Sequence, residues 1–179
     1  MATASPADRA AAATGATYQL VAHGLVTGML FFLVGMLADR TGTREISRLS
    51  GIWRALPLYG SMLAFAMFAS LGLPALAHFA AEVQIILGTL GVCLWAAVGM
   101  LLGILVTTAM FLWTLQRVLM GKVSPEWAKL PRLTRREVAT LLPLIGLILL
   151  LGILPGPLVS IIHAALHGSN PLGILLKGW

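Results

Sequence analysis

The run ALPLYGSMLAFAMFASLGLPALAHFAAEVQ, residues 55–84, decides the fold class. It is mostly apolar, carries one formal charge, Glu82, and is punctuated by Gly72-Leu-Pro74-Ala75. It opens a longer stretch, Ala55 to Gln116, of 62 residues with no other formal charge. About 20 apolar residues suffice to cross a hydrocarbon core of roughly 30 Å. The stretch therefore accommodates two crossings, with the turn expected near Gly88 to Cys93, where Gly88-Thr-Leu-Gly91 interrupts the apolar run. Pro74 lacks a backbone donor and its ring opposes the preceding helical turn, so the first crossing should be broken near 72–77.

Outward from this stretch the pattern repeats. Hydrophobic residues make up 59% of the 179, charged residues 10%, and the mean hydropathy is +0.94. A water-soluble domain carries roughly 25% charged residues, so this chain cannot cover its own surface in water. Spans are expected at about 17–38, 55–88, 92–116 and 138–157, within a transmembrane domain of 17–163. The last is announced by Thr134-Arg-Arg-Glu137, a capping box, and ended by Pro155-Gly-Pro157. The fold class is all-α: a polytopic membrane helix bundle of about four transmembrane helices, one of them discontinuous. Residues 1–16 read as a flexible N-terminal extension without the apolar core of a secretory signal, and residues 164–179 as a C-terminal tail.

The net charge of +6 is not spread evenly. Ten of the twelve Lys and Arg residues lie in two short stretches: Arg40, Arg44, Arg48 and Arg54, then Arg117, Lys122, Lys129, Arg132, Arg135 and Arg136. Flanked by apolar runs, these are the marks of short cytoplasmic loops, and the cations are read as setting topology rather than binding nucleic acid or a specific lipid. Both termini then fall on the non-cytoplasmic side of the cell inner (plasma) membrane. A single cysteine, Cys93, leaves no disulfide framework or cysteine-cluster metal site.

Glu82 is the residue that does not belong. A carboxylate among membrane spans usually faces a bundle interior, a partner or water, and a broken helix is tolerated there only where protein or water satisfies its freed backbone groups. Together they form the kind of midplane site that ion carriers build. The residues alone leave open that Glu82 lies near the outer interface or makes a purely structural hydrogen bond. His78 lies one helical turn earlier, at i, i+4, where the two can share a proton or ion-pair. His23, near the start of the first span, has a side chain that exchanges protons near neutral pH; a structural histidine fits there as well. His163 and His167, two ligands without a third, do not make a metal site. Gly24-xxx-Gly28 and Gly99-xxx-Gly103 have the spacing of close helix approach.

Ala22-His-Gly-Leu25, Phe31 to Leu37 and Asp39-Arg-Thr-Gly-Thr-Arg44 resemble the C-terminal part of NADH–quinone oxidoreductase subunit M, chain 4 of complex I in organelles. So do Ala69-Ser-Leu-Gly-Leu-Pro74, Phe79-Ala-Ala-Glu82, Gln116-Arg-Val118 and Leu133 to Glu137. The likeness runs from about Tyr18 to Val159. It implies that Glu82 is the acid at the discontinuous helix of an outward half-channel and that His23 is the histidine of the preceding helix. Glutamate here favours the M type over the L-type subunit and the antiporter D subunit, which tend to carry lysine. Ala75, His78 and Val83 depart from the family's usual glycine, small or amide residue, and phenylalanine.

The resemblance implies a proton-translocating membrane-arm subunit with no cofactor and no metal of its own, coupled to quinone reduction carried out elsewhere. Its partners would be other membrane-arm subunits, including whatever supplies the upstream helices of longer family members, and the lipid bilayer. A subunit of a multisubunit Na⁺/H⁺ antiporter or membrane-bound hydrogenase, and a non-conducting structural remnant, are the alternatives. A short subunit, a split gene product and a fragment are all compatible with the length.

Overall fold

The computed structural model describes residues 5–168; most of the expected tail, residues 169–179, lies outside them. The described chain is helical: α1 (Pro6–Thr41), a single turn α2 (Ile52–Ala55), α3 (Pro57–Ser70), α4 (Ala77–Val92), α5 (Leu94–Leu119), α6 (Arg135–Ile153) and α7 (Gly156–His167), with a 3₁₀ turn at Pro125–Trp127. By length and composition α1, α5 and α6 can each cross a membrane alone. Neither α3 nor α4 can; at 1.5 Å per residue they reach only about 21 and 24 Å. Both are apolar, and the interruption expected near 72–77 lies between them.

Residues 6–16, expected to be a flexible extension, are instead the first turns of α1. Ser5 and Asp8 form a capping box there, with Pro6 in the first turn, and the alanine run that follows has the best intrinsic helix propensity. Low hydropathy concealed the helix. These turns pack on α4 so closely that a Cβ at Gly88 would strike the Ala12 backbone. The far end differs too: α6 stops at Ile153 and a separate helix, α7, follows, because Pro155 ends one helix and Pro157 is tolerated in the first turn of the next.

The core is a stripe on α1, namely Tyr18, Ala22, Val26, Met29, Leu33 and Leu37, set against α3, which is buried on most of its faces. Tyr59 of α3 donates its hydroxyl proton to the Leu33 carbonyl at 2.9 Å. By contrast α5 buries little beyond Ala97, Leu115, Val118 and Leu119 and presents apolar side chains outward. In water that would fail; against lipid or a partner it is unremarkable for a membrane helix.

The two basic loops lie at the same end of the bundle. Trp127 Nε1 donates to the Arg48 carbonyl at 2.9 Å, the Ser50 hydroxyl to the Lys122 carbonyl at 3.0 Å, and the Gly51 amide to the Met120 carbonyl at 3.0 Å. Arg40 is the strongest fastening. It holds both oxygens of Glu137 at 2.7 Å and also donates to the Met36, Pro131 and Arg132 carbonyls. Glu137 completes the Thr134 capping box at the same time, so one carboxylate starts α6 and ties it to the end of α1.

The Arg40 side chain is only 8% exposed and that of Glu137 22%. Removing one partner of a buried pair costs about 3–5 kcal/mol because the survivor stays charged. Partial exposure of Glu137 lowers that figure, so Glu137→Gln should destabilise the chain by about 2–3 kcal/mol in reversible unfolding from detergent micelles. A loss below about 0.5 kcal/mol would show the pair to be dispensable.

Candidate functional site

The site is assembled around the interruption between α3 and α4. Pro74 has no N–H to give the Ser70 carbonyl, and the Leu73 amide turns back to Phe68 at 3.4 Å instead of pairing with Ala69. The Ala69 carbonyl is left with a long contact to the Gly72 amide, 3.4 Å, and takes a second hydrogen bond at 2.8 Å from His78 Nδ1–H. His78 is 2% exposed. Its Nδ1 proton is therefore committed to the break, and its Nε2 is the nitrogen left for exchange.

Gly72 (φ +67°) and Ala75 (φ +71°) both lie in the left-handed region. A side chain at Gly72 would collide with the Glu82 carboxylate, so the bare backbone there is what gives the acid its place. Ala75 carries a cost of about 1–2 kcal/mol that glycine would not. It is held by α6: Gly152 lies directly against the Ala75 carbonyl, leaving no room for a Cβ. A second interruption meets the first at this level. Pro155 denies the Leu151 carbonyl its helical donor, and the buried Tyr18 hydroxyl supplies one at 2.6 Å.

Glu82 is half-buried and, among the described residues, makes no hydrogen bond or ion pair. It faces a cavity of about 490 Å³ between α1, the α3–α4 break and α5. His23 and His78 line the same cavity, their rings edge-to-face with centroids 5.9 Å apart. His23 sits on the open side, with the Thr27 hydroxyl 3.3 Å from Nε2. All three titratable residues singled out in the sequence thus converge on one space, with Gly72 under the acid and Pro74 in the break. Among the described residues, no Lys or Arg lines it. Gly99-xxx-Gly103 is not a close helix contact, since neither glycine has a neighbour in reach and Gly103 borders the cavity; Gly24 and Gly28 are open as well.

Residues 1–111 match the family model described as NADH:quinone oxidoreductase/Mrp antiporter, transmembrane. The chain belongs to this transmembrane family. It is 35% identical over 171 residues to NADH-quinone oxidoreductase subunit M of Rhodobacter capsulatus, covering 91% of this chain and 33% of that protein. It is 34% identical over 154 residues to NADH-ubiquinone oxidoreductase chain 4 of Chondrus crispus, 83% of this chain and 30% of the other. A chain of respiratory complex I from Thermus thermophilus with bound NADH superposes with a TM-score of 0.78 at 29% identity, over 89% of this chain and 35% of that one. The chain spans about a third of the length of these relatives.

Within this family member, further polar residues face the cavity that the sequence reading passed over: Gln19 and Thr27 on α1, Thr107 and Thr108 on α5. Gln19 Oε1 is buried without a hydrogen-bond partner among the described residues. Gln19, His23 and Thr27 stand at i, i+4 and i+8, a polar stripe inside an apolar span, and that spacing was legible. Nothing local marked the α5 threonines, which count only through where α5 passes.

The break makes opposite demands on two neighbouring positions. Ala75→Gly removes the left-handed penalty but loosens the unfolded chain, for a net gain of about 0.5–1 kcal/mol. Gly152→Ala forces a methyl group into the Ala75 carbonyl and should lose about 1–3 kcal/mol. Thermal unfolding of the two variants in one detergent checks both signs; stabilisation by Gly152→Ala would mean α6 does not brace the break.

Proposed function

We propose that this chain is a proton-carrying membrane-arm component of an NADH–quinone oxidoreductase, with Glu82 as the group that takes up and releases the proton. The observation that carries this reading is the convergence of Glu82, His23 and His78 on one cavity at a broken helix. Its volume holds on the order of ten waters, and its hydroxyls and amide can keep such waters hydrogen-bonded. A proton can then pass between the histidine ring nitrogens and the carboxylate without entering lipid. With no Lys or Arg lining the cavity among the described residues, the countercharge in this reading comes from a neighbouring subunit. A cation brought within about 4–6 Å favours the ionised carboxylate, and its withdrawal favours the acid. Movement of such a group is a means of coupling distant quinone chemistry to proton uptake here. In this reading the other membrane-arm subunits are the partners, the basic loops face the cytoplasm, and the chain lacks redox centres of its own.

The relatives named as oxidoreductase subunits favour this over exchange of H⁺ for Na⁺ in an antiporter. Glu82→Gln retains size and hydrogen bonding but cannot cycle a charge. In the assembled complex it should leave assembly and the quinone site intact and lower the protons moved per quinone reduced, with Glu82→Asp milder and Glu82→Ala resembling Gln. Full stoichiometry in the Gln variant would assign Glu82 a structural part only.

A further inference from the structure

A second cavity, of about 500 Å³, opens at the basic end of the bundle, away from the proton site. Arg54 and Arg132 both line it, and neither side chain has a hydrogen-bond or ion-pair partner among the described residues. Among the described residues, no carboxylate lines it. The remaining wall is mostly apolar, including Leu56, Pro57, Leu58 and Leu133 beside Tyr59, with Leu58 54% exposed on the outer face of the bundle. The start of α3 contributes as well. Leu56 caps it without a side-chain hydrogen bond and Pro57 follows, so the positive end of the helix dipole lies beside the cavity.

The two arginines are brought together by structure rather than by chance mobility. Arg40 grips the main-chain carbonyls of Pro131 and Arg132, which ties the second basic loop to the end of α1, and Arg132 and Leu133 share the cavity with the first residues of α3. Ten cations of the two loops face four carboxylates at this end, Asp39, Glu45, Glu126 and Glu137. Glu137 is taken by Arg40 and Glu126 lies beside Arg48. Two like charges sharing a cavity without a local acid call for an anion from outside. The apolar wall next to them calls for that anion to carry hydrocarbon.

We infer that Arg54 and Arg132 form a headgroup site for an anionic phospholipid, whose phosphate lies between the guanidinium groups while an acyl chain runs along Leu58. Basic pockets beside membrane helices, with apolar walls, have this chemistry, and guanidinium groups pair with phosphate through two parallel donors. Topology needs only that the cations be on one side; it does not require two of them in one cavity.

The test uses the full chain in a zwitterionic detergent, with phosphatidylglycerol, phosphatidylcholine or inorganic phosphate added and bound species counted by native mass spectrometry. One phosphatidylglycerol per chain should be retained at least tenfold more strongly than phosphatidylcholine, and millimolar inorganic phosphate should not displace it. The double variant Arg54→Gln/Arg132→Gln should lose that preference, Arg54→Lys/Arg132→Lys should keep most of it, and Arg44→Gln/Arg136→Gln, outside the cavity, should change it less than twofold. Equal retention of the two lipids by the unmodified chain overturns the site without recourse to any variant. Displacement by inorganic phosphate would show a free-anion site instead of a lipid site. An equal loss in the Arg44/Arg136 variant would show only diffuse attraction.

Discussion

A backbone amide or carbonyl left without a partner in hydrocarbon costs several kcal/mol, so a helix broken within the membrane must replace each bond the break removes. That constraint organises this structure. Proline breaks the helix at Pro74 and ends α6 before Pro155, and at each place one freed carbonyl is taken up by a side chain from elsewhere. His78 serves the Ala69 carbonyl and Tyr18 the Leu151 carbonyl. The two interruptions also support each other, since Gly152 of α6 lies on the Ala75 carbonyl. The polar groups needed to repair a break are the same kind that can hold water and exchange protons. The candidate site is thus a consequence of how the interruption is satisfied.

This gives His78 a double character. Its Nδ1 proton belongs to the architecture, and its Nε2 belongs to the cavity. The histidine therefore cannot be altered for one purpose without disturbing the other, whereas Glu82 makes no hydrogen bond or ion pair among the described residues. His23, on the open side of the cavity, is held only by long contacts to Thr27. An anchored ring, a loosely held ring and an unpaired carboxylate form a graded series from scaffold to reactive group.

Much of this was legible in the sequence, and the parts that were not share a cause. Glu82 stood out as a lone charge in 62 residues, and Gly72 and Pro74 announced the break beside it. The Thr134–Glu137 cap followed from spacing. What escaped were interactions between segments distant in sequence. Arg40 looked like one of ten topology cations; its grip on Glu137, 97 residues away, is a product of how the helices pack. The α5 threonines carry no local signal. Residues 6–16 were misjudged for a different reason: alanine is weakly apolar but strongly helical, so a hydropathy criterion passed over a helix that propensity would have kept. The breaks themselves, set by proline chemistry, were the most readable features; the repairs were the least.

The central claim is that Glu82 changes protonation in a water-accessible cavity during turnover. Infrared difference spectroscopy of the assembled oxidoreductase, before and after quinone reduction, tests it most directly. The account predicts a protonated-carboxyl stretching band that rises or falls with turnover, shifts in D₂O because water reaches it, and is missing in Glu82→Gln. A turnover spectrum identical in the unmodified and Gln complexes would contradict it.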